Sequence, residues 1–308
     1  MKKIKIIILS AWVIISSTPL LAQQEAQFTQ YLDNMQYFNP AYVGSRNAMN
    51  FNLLHRQQWA GFTGAPMTTS FAFNTPLSYE SVGVGLSVLN DKIGPSNSTW
   101  VNADVSYSLR FKKNRSKLSF GIKGGINIIN GDLVNLVKHE ENDDALVGNY
   151  RNGIQPNIGG GIYYSSDQWF IGAAVPRIFT GIRGENFTEV EFNDTRHYYF
   201  MAGGYIKANR MLKIRPSALF KFTENAPFAL DFSVAAIFYD KVWLGGNYRL
   251  KQSAGVIFQY QFTNQFKMGY AFEMSTNKMR QYNAGTHELM LSYDLKFKNR
   301  SLTSPRYF

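Results

Sequence analysis

Between Phe51 and Phe297, apolar residues recur at every second position, and the breaks between those stretches alternate between tight turns and long polar loops. A bilayer offers backbone groups no water to bond, so a sheet can cross it only by closing on itself. Residues facing lipid must then be apolar while residues facing the lumen are free to be polar, which imposes a period of two on every crossing. The last stretch shows this cleanly, with Leu289, Leu291, Tyr293, Leu295 and Phe297 on one face and Met290, Ser292, Asp294 and Lys296 on the other. Val101, Ala103, Val105, Tyr107 and Leu109 oppose Asn102, Asp104, Ser106, Ser108 and Arg110 in the same way. A soluble sandwich would alternate too, so the loops must decide.

Crossings are expected at 47–59, 67–76, 81–90, 99–111, 117–130, 154–165, 169–175, 197–207, 212–222, 228–239, 242–249, 253–261, 266–273 and 286–297. With the chain entering from the periplasm, every even-numbered gap is short, and the three longest gaps, 131–153, 176–196 and 274–285, all fall on the odd side. Short inner turns and long outer loops are the pattern of outer-membrane barrels. The fold class that follows is all-β: a transmembrane, antiparallel outer-membrane β-barrel of about 14 strands. Pro216 conflicts with it, because the alternation points this residue at lipid in mid-strand, where proline cannot donate to a ladder. A bulge or a register shift between Ile214 and Ala218 would accommodate it.

Residues 1–22 combine Lys2, Lys3 and Lys5 with an apolar run from Ile6 to Ile15 and a small-residue end at Ala22, the pattern of a cleaved secretory signal peptide. The run is interrupted at Ser16, short of the roughly 20 apolar residues a helical anchor needs. There is no cysteine, which excludes disulfides, lipidation and thiolate metal sites. The remaining organisation is expected to be an N-terminal periplasmic strap or plug over 23–46, the barrel over 47–297 and a periplasmic tail over 298–308. Aromatics at 15% and 25 glycines suit interfacial girdles and crowded walls. A net charge of +11 allows anionic lipid or acidic partners and cannot choose between them.

Chemistry is sparse. The run His139 to Asp144 could hold calcium, but it lacks the glycine and spacing of a dedicated loop and reads as a solvated tip. His55 and Ser70 could be imagined as a hydrolase pair near the rim, yet no Gly-x-Ser-x-Gly elbow exists and no spaced constellation completes them. No enzymatic activity, cofactor, metal or nucleic-acid partner is expected. The inward register holds Arg110, Lys123, Lys213, Arg215, Lys221, Arg249, Lys267 and Lys296 against Asp104, Asp231 and Asp294. A salt-bridged, partly plugged interior is the favoured reading, with an anion-favouring cavity as the alternative.

The least generic residues precede and include the first hairpin. Gln27 to Tyr31 reads Gln-Phe-Thr-Gln-Tyr, and Asn39-Pro40-Ala41 runs on to Gly44 with the chemistry of a turn. Arg56, Gln58 and Trp59 end the first strand, and Gly64-Ala65-Pro66 follows. Together with the tail Pro305-Arg306-Tyr307-Phe308, these motifs resemble the PorP/SprF family of the Bacteroidetes type IX secretion system. The resemblance implies a non-enzymatic outer-membrane protein that supports export or surface anchoring of secreted proteins, large gliding adhesins among them. It also implies periplasmic, peptidoglycan-linked partners. Arg56 and Trp59 are expected to fix the strap against the wall, by a charge-assisted bond and by aromatic packing. The alternative function is a passive channel for small, anionic solutes.

Overall fold

The computed structural model describes residues 25–46, 48–77, 81–111, 115–132, 150–178, 196–224 and 226–295. Fourteen antiparallel strands close into one barrel. In chain order they are β1 (Met49–Gln57), β2 (Met67–Pro76), β3 (Val82–Ile93), β4 (Ser96–Phe111), β5 (Ser116–Gly131), β6 (Tyr150–Ser165) and β7 (Trp169–Val175). Then come β8 (His197–Gly204, resuming as Ile206–Lys207), β9 (Leu212–Thr223), β10 (Ala226–Phe238), β11 (Val242–Arg249), β12 (Ser253–Gln261), β13 (Phe266–Ser275) and β14 (Thr286–Leu295). Each strand pairs with its sequence neighbours, and β1 closes the ring on β14 from Met49↔Leu295 to Gln57↔His287.

The wall is inverted relative to a soluble protein. Val101, Val105, Tyr107 and Leu109 of β4 are exposed, while Asn102, Asp104, Ser106 and Ser108 are buried. That inversion is what a lipid-facing apolar surface around a polar lumen requires. Strand ends differ from expectation mainly at hairpins above the apolar band. β3 and β4 extend to a tight turn at Gly94 (φ 55°) because Ser96, Asn97 and Ser98, polar enough to suggest loop, pair in register with Ile93, Lys92 and Asp91. β1 stops at Gln57, where the Gln58 N–H turns to Pro66 O at 2.9 Å and Trp59 adopts φ 49°.

Pro216 is accommodated without either remedy expected of it. Its register with β10 is unbroken (Pro216↔Val234), and the only shift on that side falls between Lys221 and Thr223. On the other side the ladder lapses at Tyr205, whose N–H bonds Gln168 O at 2.8 Å instead. The missing proline donor thus interrupts β8 rather than bulging β9.

The apolar core of the molecule sits inside the barrel. Residues 28–44 are buried throughout, and Phe28, Tyr31, Met35, Phe38 and Tyr42 cluster with inward wall residues such as Tyr163, Tyr199 and Trp243.

Candidate functional site

The segment 25–46 fills the lumen as a compact plug. Its sequence cannot form a long helix, since Asn34, Asn39, Pro40 and Gly44 interrupt it at short intervals. It folds instead into single turns at Tyr31–Asp33, Met35–Phe38 and Pro40–Tyr42. Asn39 caps the last of these, its Oδ1 accepting from Ala41 N–H at 2.9 Å with Pro40 opening the turn. Gly44 follows at φ 71°, a left-handed conformation that favours glycine. Phe28, Tyr37 and Phe38 meet edge to face at 5.0 to 6.1 Å. Such contacts contribute about 0.5–1.5 kcal/mol each beyond the area they bury.

Polar anchors tie the plug to strands all round the barrel. Tyr31 OH donates to Ser217 Oγ of β9 at 2.7 Å, Asn34 Nδ2 to Ser70 Oγ of β2 at 3.2 Å, and Gln36 Nε2 to Asp104 Oδ2 of β4 at 2.9 Å. Asn39 Nδ2 donates to Ile162 O of β6 at 3.0 Å, and Ser106 Oγ of β4 donates to Val43 O at 2.5 Å. The wall is relieved where the plug approaches closest. A Cβ on Gly121 would stand 2.2 Å from Ala41 N, and one on Gly83 would stand 2.3 Å from Val43 O.

Charge is paired across this interface. Arg56 lies inside β1, donating through Nη1 to Thr29 Oγ1 at 2.8 Å and to Glu288 Oε2 at 3.2 Å, and through Nη2 to Glu273 Oε2 at 2.7 Å. Glu288 in turn accepts the Thr29 and Gln30 backbone N–H groups at 2.8 and 2.7 Å. Asp33 accepts from Lys267 Nζ at 2.5 Å and Gln259 Nε2 at 2.6 Å. Within the wall, Lys123 pairs with Asp104 at 2.8 Å and Arg249 with Asp231 at 2.7 Å. At the plug's first residue, Glu25 accepts from Tyr37 OH at 2.9 Å, from Tyr199 OH and from Arg177, with His197 Nδ1 at 3.3 Å. Burial alone would raise the Glu25 carboxyl, but Arg177, His197 and Lys221 reverse this and hold it at about 2. Burial is likewise overcome at Asp33 by Lys267 and Arg215, leaving that carboxyl at about 2.

Tyr31, Asn39, Pro40, Gly44 and Arg56 therefore meet at the plug and its wall, with Gln27 half-buried at the plug's start. Gln58, Trp59 and Pro66 sit apart, in the loop after β1. Trp59 is bound there by its backbone N–H to Thr286 Oγ1 at 3.2 Å and belongs to the loop, not to the Arg56 cluster. Pro305, Arg306, Tyr307 and Phe308 lie outside the described residues, as do the acidic run at 139–144 and Lys296. Of the remaining inward cations expected, Lys123, Arg215, Arg249 and Lys267 are buried, whereas Arg110 is exposed at the end of β4. Glu25, Asp33, Glu273 and Glu288 were not anticipated. The last two were readable from parity, since both fall on the inward positions of their strands, but the two plug acids have no periodicity to mark them. His55 and Ser70 point to opposite faces, His55 bonding Thr69 Oγ1 at 2.9 Å outside and Ser70 meeting Asn34 inside. Among the described residues no group of three or more His, Asp or Glu is placed to hold a metal ion.

No curated protein matches the chain. Among solved structures, the CymD monoaromatic hydrocarbon channel is similar with a TM-score of 0.51 at 10% identity, covering 89% of this chain and 95% of its own. The Pseudomonas putida (P. putida) toluene transporter TodX gives a TM-score of 0.48 at 10% identity over 87% of this chain and 95% of TodX. Omp33 of Acinetobacter baumannii gives 0.43 at 12% identity over 82% of this chain and 99% of Omp33. At such identities the likeness to CymD speaks for the barrel fold alone. The family model of the type IX secretion system membrane protein PorP/SprF matches residues 20–293. The match spans most of the chain, and the closed barrel around it is an outer-membrane architecture: this protein belongs to the PorP/SprF family of type IX secretion system membrane proteins.

Proposed function

We propose that this outer-membrane barrel serves type IX secretion as a non-enzymatic docking and anchoring platform, holding secreted cargo on its outer face and secretion components on its periplasmic face. The observation that carries this reading is the plug. Residues 28–44 are buried inside the barrel and tied by polar bonds to most of its strands, so the lumen is occupied by structure and balanced in charge. A conducting pore needs a polar, hydrated path; a platform needs a rigid one.

The two ends suit two kinds of contact. The three longest connections, 132–149, 176–196 and 276–285, join strands at one end, and we assign that end to a cargo domain, a large adhesin among the candidates. The opposite, short-turn end exposes Arg115, Lys207, Arg210 and Lys241 beside Asp167 and Asp240, with Arg115 4.0 Å from Asp167, a mixed charged rim suited to a polar periplasmic partner. The test compares the surface proteome of a deletion strain with proteins co-purified on the tagged barrel. The platform predicts a secreted surface protein lost from the mutant and peptidoglycan-linked components in the pull-down. A clean barrel with an unchanged surface would instead support the passive channel for anionic solutes.

A further inference from the structure

The plug has a direction. At the end of the barrel where β1 begins, all connections are short, namely 77–81, 112–115, 166–168, 208–211, 239–241 and 262–265, while the three long connections lie at the other end. Short turns face the periplasm in such barrels and long loops face outward. The last plug residues lie at the short-turn end: Ser45 O accepts from Lys117 Nζ, at the start of β5, at 3.4 Å, and Arg46 lies 3.5 Å from Asp294 near the end of β14. The first plug residue lies at the opposite end. Glu25 is gripped by Arg177, just beyond the close of β7, and by His197, the opening residue of β8, both at the long-loop end. Between them, Gln36 meets Asp104 midway along β4, and Asn39 meets Ile162 towards the short-turn end of β6.

From this placement we infer that the mature chain threads its own barrel from the outside inward, presenting its N-terminus at the cell-surface mouth, where the Glu25 cage latches the plug's outer end. The cage is built for a carboxylate. Arg177 is spread over the Trp100 ring at 4.1 Å, which fixes its guanidinium, and Tyr199 and His197 deliver further polar atoms from β8. Only the Tyr37 hydroxyl comes from the plug itself. Glu25 marks the outer end of the described plug, so a ligand arriving from outside would meet that end first. Of the segment expected in the periplasm, only the Arg46 end then lies there.

The inference rests on the barrel's orientation and not on the docking role, so the two fail separately. The chain contains no cysteine, which makes single-cysteine labelling clean. In intact cells a membrane-impermeant maleimide should label Gln24→Cys, while Asn264→Cys, in the 262–265 turn, should label only after the outer membrane is permeabilised. Labelling of Gln24→Cys only after permeabilisation would overturn the outside-in path. For the latch, Ser233→Cys, buried in the lumen on β10, reports plug release. Adding Glu25→Ala should raise its labelling rate from outside at least tenfold, and Glu25→Gln should do so less, with both variants keeping the faster gel migration of an unboiled barrel. An unchanged rate in such folded variants would overturn the latch.

Discussion

Arg56 concentrates the electrostatics of the lumen in one side chain, which is 2% exposed and touches Glu273, Glu288 and the plug's Thr29. Removing one partner of a buried ion pair leaves an uncompensated charge, at a cost of about 3–5 kcal/mol. Arg56→Met should therefore destabilise the folded barrel by that order in urea titrations followed by gel migration, and Glu273→Gln with Glu288→Gln in the same chain should recover part of the loss. The plug acids predict a pH dependence with a definite sign. Glu25 falls from its ordinary 4.5 to about 2, and Asp33 from 3.8 to about 2. A depressed carboxyl lends stability that is complete above its ordinary value and lost as pH falls through the folded one. Plug retention, read from protection of a luminal cysteine, should thus be constant above about pH 5 and fall between that and pH 2.

At the scale of elements, the plug fits because the wall has no side chain where it comes closest. Gly121→Val would drive its Cβ into the Ala41 and Pro40 backbone, which cannot retreat as a flexible side chain could. The expected result is a barrel that still migrates as folded but whose plug is displaced, seen as new protease cuts within residues 25–46. Intact residues 25–46 in that variant would mean that plug and wall do not meet as closely at Gly121 as the structure has them. The strands themselves were legible in the sequence because lipid on one face and lumen on the other force a period of two. Trp169–Val175, Val242–Arg249 and Ser253–Gln261 were read with their ends in place. Parity also marks most residues that face inward, with Arg110 at the end of β4 an exception, but not their partners. Arg56 meets Glu288 because β1 closes on β14, a pairing between opposite ends of the chain that no local pattern encodes. The plug was legible as a distinctive motif and not as a shape, since turns of three and four residues leave no helical periodicity to read.

On the scale of the whole molecule, a wall apolar outside encloses an interior in which acids and bases answer one another. Lys123 meets Asp104, Arg249 meets Asp231, Lys267 meets Asp33, and Arg177 meets Glu25. This pairing offsets the excess of inward cations that the strand register suggests, which favours a plugged interior over an anion-selective path. On the proposed reading, this filled lumen makes the barrel a rigid post, with its long connections at one end and its short turns at the other. The most direct test of that account is ion conductance in planar bilayers of the purified full-length protein beside a variant lacking residues 25–46. The account predicts that the intact protein stays silent and that the shortened barrel conducts; steady, porin-like conductance from the intact protein would contradict it.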